Sequence, residues 1–270
     1  MTSLQKKLLD MLAWFDKFCK QNNIVYFAAG GTVLGAARHG GFIPWDDDID
    51  VVVPRPDYDR LLKIFNGKID NYILESPHSL NKDYLYSAAK LYDTNTTLIE
   101  KTQHPCKRGI YIDVFPLDGI GNTEEESLSN YRVFEKQNRI LLTRTCAIRK
   151  DRAWYKNAAI RLMKCVPSFV INEKKLVVKL DKIAGYLCSY DSKYVANLMG
   201  SYGRKEIVPR ELFGDPKVMA FEDIEINVPQ YHEEYLAHIY GDWKKLPPEN
   251  KRKTTHEHIE LNLEKSYLDE

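Results

Sequence analysis

The sequence predicts an α/β (α+β) protein, in which helices flank a mixed β-sheet core and a helical segment is inserted. Residues 24–29 and 110–115 are short apolar runs bounded by Gly or Pro, as is typical of buried strands. Longer segments with apolar residues at helical spacing alternate with these runs. Between about residues 123 and 189 the pattern is helical throughout.

Taken in order, the first third of the chain alternates helices with strands. The predicted helices are 3–21, 32–38 and 57–65, the last capped by Asp57. The predicted strands are 24–29, which ends at Gly30-Gly31, 49–53, which ends at Pro54, and 69–74.

The following elements are predicted from turn residues and alternation. Residues 87–92 and 96–100 suggest a hairpin around Asp93-Thr94-Asn95, and 110–115 a buried strand ended by Pro116. Near the C-terminus we expect a strand over 221–228 and a helix over 231–240, stopped by Gly241.

A chain of 270 residues can bury one large core with an insertion. We expect a catalytic core in residues 1–122, a helical insertion within the same domain in 123–205, and a C-terminal α/β part in 206–270 that completes the core.

Composition excludes some classes of function and location. The net charge of +1 gives no polyelectrolyte argument for nucleic acid, so no nucleic-acid partner is expected. Five scattered cysteines without CxxC spacing favour reduced thiols. The N-terminus has no apolar signal core, and no run could span a bilayer. We expect a cytoplasmic protein, with peripheral contact at the inner membrane face as an open alternative.

An acidic pair opens the strand that follows the second Gly-Gly turn. Asp48 and Asp50 lie two residues apart, so their carboxylates project from the same strand face. Adjacent carboxylates repel unless a cation neutralises them. Their oxygens are hard ligands suited to Mg²⁺ or Mn²⁺. The alternative is a solvated acidic turn.

A third acid, Asp113, interrupts the buried-type strand at 110–115. A charge there is costly unless it is paired or metal-bound, although a single edge-strand aspartate facing water is the alternative. We predict that Asp48, Asp50 and Asp113 are catalytic and bind one or two divalent ions. The ions would neutralise a substrate diphosphate, while Asp113 activates or orients an attacking hydroxyl.

Five further residues are predicted to bind substrate. Gly30, Gly31 and Thr32 start a helix whose free N–H groups would face an anion. Arg38 can hold a phosphate bidentately, or it is simply a helix-end arginine. Lys90 lies within a strand, where its charge needs a phosphate or a site carboxylate as partner.

The remaining candidates flank the acidic pair or lie near the C-terminus. Trp45 either stacks on cytosine or a quaternary ammonium, or plugs the turn. Asp46 and Asp47 are expected to shape the turn or bond Arg38 rather than bind metal. His256 is predicted to contact phosphate or acceptor.

Together these motifs carry a family resemblance. Gly30-Gly31, the Asp48-x-Asp50 strand and the later Asp113 resemble the nucleotidyltransferase superfamily. The full string from Gly30 to Asp50 resembles the LicD family of phosphocholine transferases, which are related to the fukutin-related proteins. Further matching motifs are Lys90-Leu91-Tyr92-Asp93, residues 112–118, Phe221-Glu222, Tyr240-Gly241-Asp242 and Leu246-Pro247-Pro248.

The resemblance implies a nucleotidyltransferase-like core and a CDP-activated alcohol, typically CDP-choline, as donor. The phospho-alcohol would pass to a hydroxyl of a cell-surface glycan precursor (teichoic acid, lipopolysaccharide or capsule), in some cases on a polyprenyl-phosphate carrier, and CMP would leave. The cysteine-bound zinc module of the fukutin-related proteins has no counterpart here, so no structural zinc is expected.

Two alternative functions stay open: transfer of NMP to an acceptor, and a catalytically inactive glycan-binding subunit. The intact Asp48, Asp50 and Asp113 argue against the second. Residues 144–182 are rich in Lys and Arg interleaved with Trp154, Met163 and Phe169. This segment is either a solvated basic face or a contact with an anionic membrane surface.

Overall fold

A mixed β-sheet forms the centre of the fold, as the sequence predicts. The structure, a computed structural model, describes residues 1–65, 67–101, 105–146, 148, 152–254 and 256–269. The strands are β1 (Phe27–Ala28), β2 (Asp50–Pro54), β3 (Lys68–Ile69), β4 (Tyr72–Glu75), β5 (Ala89–Asp93), β6 (Thr97–Glu100), β7 (Lys107–Arg108), β8 (Tyr111–Gly121), β9 (Tyr194–Ala196), β10 (Ile207–Pro209), β11 (Lys217–Phe221), β12 (Ile224–Val228) and β13 (His258–Asn262). The α-helices are α1 (Ser3–Gln21), α2 (Gly30–His39), α3 (Arg55–Ile64), α4 (Glu124–Thr145), α5 (Trp154–Lys164), α6 (Glu173–Leu187) and α7 (His232–Tyr240).

The main sheet has the order β1-β2-β8-β5-β4-β3, and β9 and β10 extend it from the far end of β8. β2 and β8 run parallel, whereas the other neighbours are antiparallel. β6 forms a separate sheet with β7 and β13, and β11 pairs with β12. The mixed sheet with seven flanking helices in the described residues confirms the predicted α/β class.

The N-terminal helix is confirmed over its predicted span and fixes the acidic turn. Thr2 and Gln5 form a capping box at its start, and Leu8, Leu12 and Phe15 are buried. The Gln5 side chain donates a hydrogen bond to the carbonyl oxygen of Asp46 at 2.8 Å. α1 therefore ties the loop before β2 to the core.

The predicted hairpin over 87–100 is wrong. β4 and β8 occupy the two edges of β5, so β6 cannot pair with it and crosses to the sheet of β7 and β13. The turn between β5 and β6 is held in place by a hydrogen bond from the Ile110 N–H to the Thr96 hydroxyl at 2.9 Å.

Two strand boundaries also differ from prediction. β8 continues through Pro116 because this residue lies beyond the last β5 partner at Val114 and before the first β9 partner at Asp118. A missing N–H is tolerated at such a gap. The predicted strand 221–228 is instead two strands, because Glu222 adopts a left-handed conformation (φ 54°) and turns the chain.

The start of α3 and the strands beside it need smaller corrections. The N-cap of α3 is Pro54, not Asp57, and the Asp57 carboxylate accepts a hydrogen bond from the Val25 N–H at 2.7 Å. The strand predicted at 24–29 covers only β1, and the one predicted at 69–74 is divided into β3 and β4 by Asp70, whose φ is 53°.

The helical character of residues 123–189 is confirmed by α4, α5 and α6. α4 and α6 bury a second apolar cluster against the end of β8, including Phe134, Val177 and Leu180. Arg55 joins this cluster to the sheet through ion pairs with Asp118 (2.5 Å) and Asp181 (2.9 Å). The predicted part boundaries at residues 122 and 205 stay predictions. None of the described helices combines the length and apolarity needed to span a bilayer.

Candidate active site

The parallel pairing of β2 with β8 brings the three predicted carboxylates to one end of the sheet. Asp50 lies directly opposite Asp113 in the strand register, and Asp48 precedes β2 by two residues. Ile49 and Val51 are buried on the other face, as the alternation predicts. The proximity that the sequence suggested for the three acids is therefore present, while their catalytic roles remain predictions.

Electrostatics at this end of the sheet are dominated by negative charge. Burial, followed by the charges of Asp48 and Asp113, raises the pKa of Asp50 well above its ordinary value, and Lys90 opposes the shift. Burial, followed by the charge of Asp48, raises the pKa of Asp46 to about 7. Burial also raises the pKa of Asp48, although the nearby His256 opposes the shift.

Lys90 supplies the nearest positive charge. Its Nζ lies 2.6 Å from Asp113 Oδ1 and over the rings of Tyr111 (3.6 Å to the centroid) and Tyr86 (4.6 Å). Of the two partners predicted for Lys90, the structure shows the site carboxylate.

His256 reaches the acidic loop from the segment before β13. Its Nδ1 lies 2.8 Å from Asp47 Oδ1, and its Nε2 lies 3.8 Å from Asp48 Oδ2. The hydrogen bond to Asp47 raises the pKa of His256 to about 9, although burial opposes the shift. Burial raises the pKa of Asp47, but the bonds from His256 and Thr254 outweigh it and lower that pKa overall.

The Gly-Gly turn is required by the closeness of the carboxylates. Gly30 has φ 53°, and a Cβ at this residue would lie 2.8 Å from Asp50 Oδ2. A Cβ at Gly31 would lie 2.5 Å from Asp46 Oδ2. Thr32 is buried, and its hydroxyl accepts a hydrogen bond from the Asp50 N–H at 2.9 Å. The start of α2 thus packs directly on the acids.

Arg38 and Trp45 lie beside this turn without a direct bond to the carboxylates. Arg38 donates to the carbonyl oxygen of Trp243 at 2.9 Å and to His39 at 3.1 Å, so the expected bond to Asp46 or Asp47 is not formed. Trp45 is partly buried, and the Arg252 guanidinium lies 5.8 Å from its ring centroid. Both interpretations of Trp45 remain open.

Sequence reasoning missed Tyr86, Tyr111 and Glu100, which lie next to Lys90. The Tyr111 hydroxyl donates to Glu100 Oε1 at 2.7 Å and the Tyr86 hydroxyl to Oε2 at 3.3 Å. Strand alternation could have found Tyr111, because it lies on the same face of β8 as Asp113. Glu100 carries no such signal, since it belongs to a different sheet.

The donor set suits a divalent ion in its chemistry. Asp48, Asp50 and Asp113 provide only hard oxygen ligands, and their burial together calls for positive charge. Within the described residues no three acidic, histidine or cysteine side chains already form a complete metal-binding group. Asp113 is instead paired with Lys90 at 2.6 Å.

A mixed α/β sheet with a Gly-Gly helix start packed on three acids at the ends of β2 and β8 agrees with the resemblance to nucleotidyltransferases. A family model described as LicD/FKTN/FKRP, nucleotidyltransferase domain, matches residues 23–145. The lipopolysaccharide cholinephosphotransferase LicD of Haemophilus influenzae is 30% identical over 255 residues, which cover 92% of each chain. The chain belongs to the LicD family.

More limited similarity extends to yeast proteins. Mannosyltransferase regulators 4 and 14 of Saccharomyces cerevisiae are 27% and 25% identical over 132 residues, 47% of this chain. The match covers only 11% and 14% of those longer proteins.

Proposed function

We propose that this protein transfers phosphocholine from CDP-choline to a hydroxyl of a cell-surface glycan precursor and releases CMP, with Mg²⁺ or Mn²⁺. One observation carries the proposal: the acidic cluster beside Lys90 belongs to a chain similar along 92% of its length to a lipopolysaccharide cholinephosphotransferase. A CDP-linked alcohol and a glycan are accordingly the proposed substrates.

Asp48, Asp50 and Asp113 would hold the ion, which supplies positive charge to the donor diphosphate when bound. The acceptor oxygen attacks the phosphorus that carries choline, the bond from this phosphorus to the oxygen of CMP breaks, and CMP leaves. Asp113 takes the proton of the acceptor hydroxyl. Lys90, which contacts Asp113, offsets negative charge on the donor.

Gly30 and Gly31 place backbone N–H groups of the α2 start near this centre, where they favour an anionic donor, whereas the Thr32 N–H already donates to the Ala29 carbonyl at 3.0 Å. His256 carries a proton up to about pH 9 and adds a second positive charge at the acidic loop. Arg38, in the last turn of α2, and Trp45, shortly before the acids, would contact the nucleotide part of the donor.

Two other functions have some support. The family model is described as a nucleotidyltransferase domain, which favours attack at the other phosphorus and transfer of CMP to the acceptor. The partial match to mannosyltransferase regulators favours a non-catalytic subunit. The intact acids at positions 48, 50 and 113 argue against the second.

The test is a product assay with CDP-choline, CDP-ribitol and CDP-glycerol, each with Mg²⁺ and a lipopolysaccharide or teichoic acid precursor. Phosphocholine transfer predicts free CMP and a phosphocholine-modified glycan. Free phosphocholine and a CMP-modified glycan would show nucleotidyl transfer. No product from any donor, with intact acceptor, would support the non-catalytic subunit.

We further propose that the protein works at the cytoplasmic face of a membrane, because α5 and the turn after it expose apolar side chains. Ile160 is the buried residue of α5, whereas Trp154, Leu162 and Phe169 are 79%, 74% and 88% exposed. Such side chains among cations are typical of helices that lie in a membrane interface.

The charges around these side chains favour an anionic partner. Residues 153–182 contain seven Lys and Arg but two acids, and both acids are paired, Glu173 with Arg144 and Asp181 with Arg55. Arg149 and Lys150, part of the predicted basic segment, lie outside the described residues. The seven cations of residues 153–182 still leave this surface positively charged.

A further inference from the structure

We propose that a tyrosine-rich pocket beside the acidic cluster binds the quaternary ammonium group of the donor. The pocket is lined by Tyr84, Tyr86, Tyr92, Tyr111 and Glu100, among others. This inference rests on the proposed function, since it assigns the alcohol part of the CDP-alcohol to particular side chains.

The position of the pocket matches the length of the transferred group. Tyr92 and Tyr111 lie two residues along β5 and β8 from Lys90 and Asp113, so each pair shares one face of the sheet. Two residues of a strand span about 7 Å. The two-carbon linker of phosphocholine bridges a similar distance, so a phosphoryl group at Asp113 would place its ammonium at the tyrosines.

The pocket also adjoins the carboxylate cleft. Leu98, Glu100 and Tyr111 line both the pocket and the neighbouring cleft that contains Asp48 and His256. A donor that lies across these three shared side chains would contact the acidic cluster and the tyrosines together.

The chemistry of the lining favours a cation that cannot donate hydrogen bonds. Aromatic faces attract cations, and quaternary ammonium groups are recognised in this way. The rings of Tyr86 and Tyr111 already hold the Lys90 ammonium, at 4.6 and 3.6 Å, yet Lys90 does not line the pocket. The hydrogen bonds of both tyrosines to Glu100 orient the rings and place a carboxylate at the pocket wall.

The remaining charges do not oppose a bound cation. Asp83 also lines the pocket and adds negative charge, whereas Arg108 is the one cation among the lining residues that the structure describes. Arg108 Nε lies 3.3 Å from Glu75 Oε2, so the charge of Arg108 is balanced by a carboxylate that does not line the pocket. The balance of the lining thus favours a cationic ligand.

The experiment measures binding of CDP-choline, CDP-ethanolamine and CDP by calorimetry, with Mg²⁺ and without acceptor. Wild type should bind CDP-choline about tenfold more tightly than CDP-ethanolamine. Tyr86→Leu should bring this ratio close to one while affinity for CDP is kept, because the cation loses an aromatic face. Tyr86→Phe should keep the ratio, because the ring remains.

Tyr186→Leu is the matched control, since Tyr186 lies on α6 and is 86% exposed. It should leave all three affinities unchanged. An unchanged ratio in Tyr86→Leu, with CDP-choline still bound and turned over, would overturn the pocket assignment but leave the proposed function standing. Failure of wild type to bind any CDP-alcohol would overturn both.

Discussion

Lys90 and Asp113 face each other across β5 and β8, with Nζ 2.6 Å from Oδ1. Their side chains are only 7% and 16% exposed, so the pair is shielded from solvent. Removing one partner of a buried ion pair leaves the other charge uncompensated, which is costly. This contact therefore couples the proposed base to the cation that would face the donor phosphates.

The first prediction concerns Asp113→Asn. This change keeps the shape of the side chain but removes the group that would accept the acceptor proton, so transfer should slow by about 10²- to 10⁴-fold. Donor affinity should change far less. Calorimetry with CDP-choline and a CMP-release assay separate the two effects. Near-normal turnover would contradict the role of Asp113.

A second prediction follows from the repulsion around Asp50. Because the folded protein disfavours the charged form of Asp50, the pKa of this group is raised, and the stability of the folded protein falls as pH rises above the ordinary aspartate range. Asp50→Asn should therefore raise the melting temperature at neutral pH in the presence of chelator, by about 2–4 °C. Added Mg²⁺ should stabilise wild type but not the variant. Turnover should be abolished in Asp50→Asn.

Asp215→Asn, in an exposed loop before β11, is the matched control and should respond to Mg²⁺ as wild type does. Asp48→Ala should behave like Asp50→Asn in the turnover assay. If Mg²⁺ stabilises Asp50→Asn as strongly as wild type, Asp50 does not bind the ion.

A third prediction tests the Gly-Gly turn. Gly30→Ala and Gly40→Ala both place a side chain at positive φ (53° and 68°), which costs about 1–2 kcal/mol at either position. Only the first Cβ meets an obstacle, Asp50 Oδ2 at 2.8 Å, while Gly40 has open space. Urea unfolding should show similar stability losses. CMP release should fall at least tenfold further in Gly30→Ala, and equal activities would contradict the assignment.

How much of the fold can be predicted from the sequence depends on whether the contacts that fix each element are local or far apart along the chain. α1 and α7 were predicted well because their boundaries are local, in the capping box at Thr2 and the stop at Gly241. The separation of β5 from β6 could not be predicted, since it depends on β4 and β8 occupying both edges of β5. Similarly, β13 completes the sheet of β6 from the far end of the chain.

The candidate site shows the same difference between local patterns and contacts that are distant along the chain. Asp48 and Asp50 are recognisable from two-residue spacing, and Asp113 from its exceptional place in an apolar strand. The pairing of His256 with Asp47 joins residues 209 positions apart, so spacing cannot reveal it. Glu100 was missed for the same reason, because only the tertiary fold brings it to Tyr86 and Tyr111.

A fourth prediction uses pH. Burial raises the pKa of Glu206 from 4.5 to about 7, although a hydrogen bond from the Tyr202 N–H opposes the shift. Between these values the folded state binds more protons than the unfolded state, so wild-type stability falls as pH rises. Glu206→Gln should match wild type near about pH 4.5 and be more stable above about pH 7, by about 3 kcal/mol.

Urea unfolding at about pH 5 and about pH 8 measures this difference. Glu211→Gln, at an exposed position three residues before Gly214, serves as the control and should have little effect at either pH. A Glu206→Gln effect that is the same at both pH values would show that Glu206 acts through packing and not through its charge.

The last prediction concerns the exposed face formed by α5, the turn after it and the start of α6, where Lys175 lies. The protein should sediment with phosphatidylglycerol-containing vesicles at low salt, be released at high salt, and ignore pure phosphatidylcholine vesicles. Replacing Lys156, Arg161 and Lys175 by Gln should weaken binding by about 100-fold, since each cation near an anionic surface contributes to attraction. Replacing Trp154 and Phe169 by Ser should weaken binding at low salt although the net charge is unchanged, because burial of the two rings contributes apart from charge.

The matched control replaces Lys6, Lys17 and Lys217 by Gln, which removes the same charge from other exposed positions. Non-specific attraction depends on net charge, so it would weaken vesicle binding equally in both triple variants. A specific docking face would instead make the loss of binding much larger when Lys156, Arg161 and Lys175 are replaced. Absence of sedimentation by wild type at low salt would show a solvated helical face. Loss of a dimer in the Trp154 and Phe169 variant, without vesicle binding by wild type, would instead assign the face to a second copy of the chain.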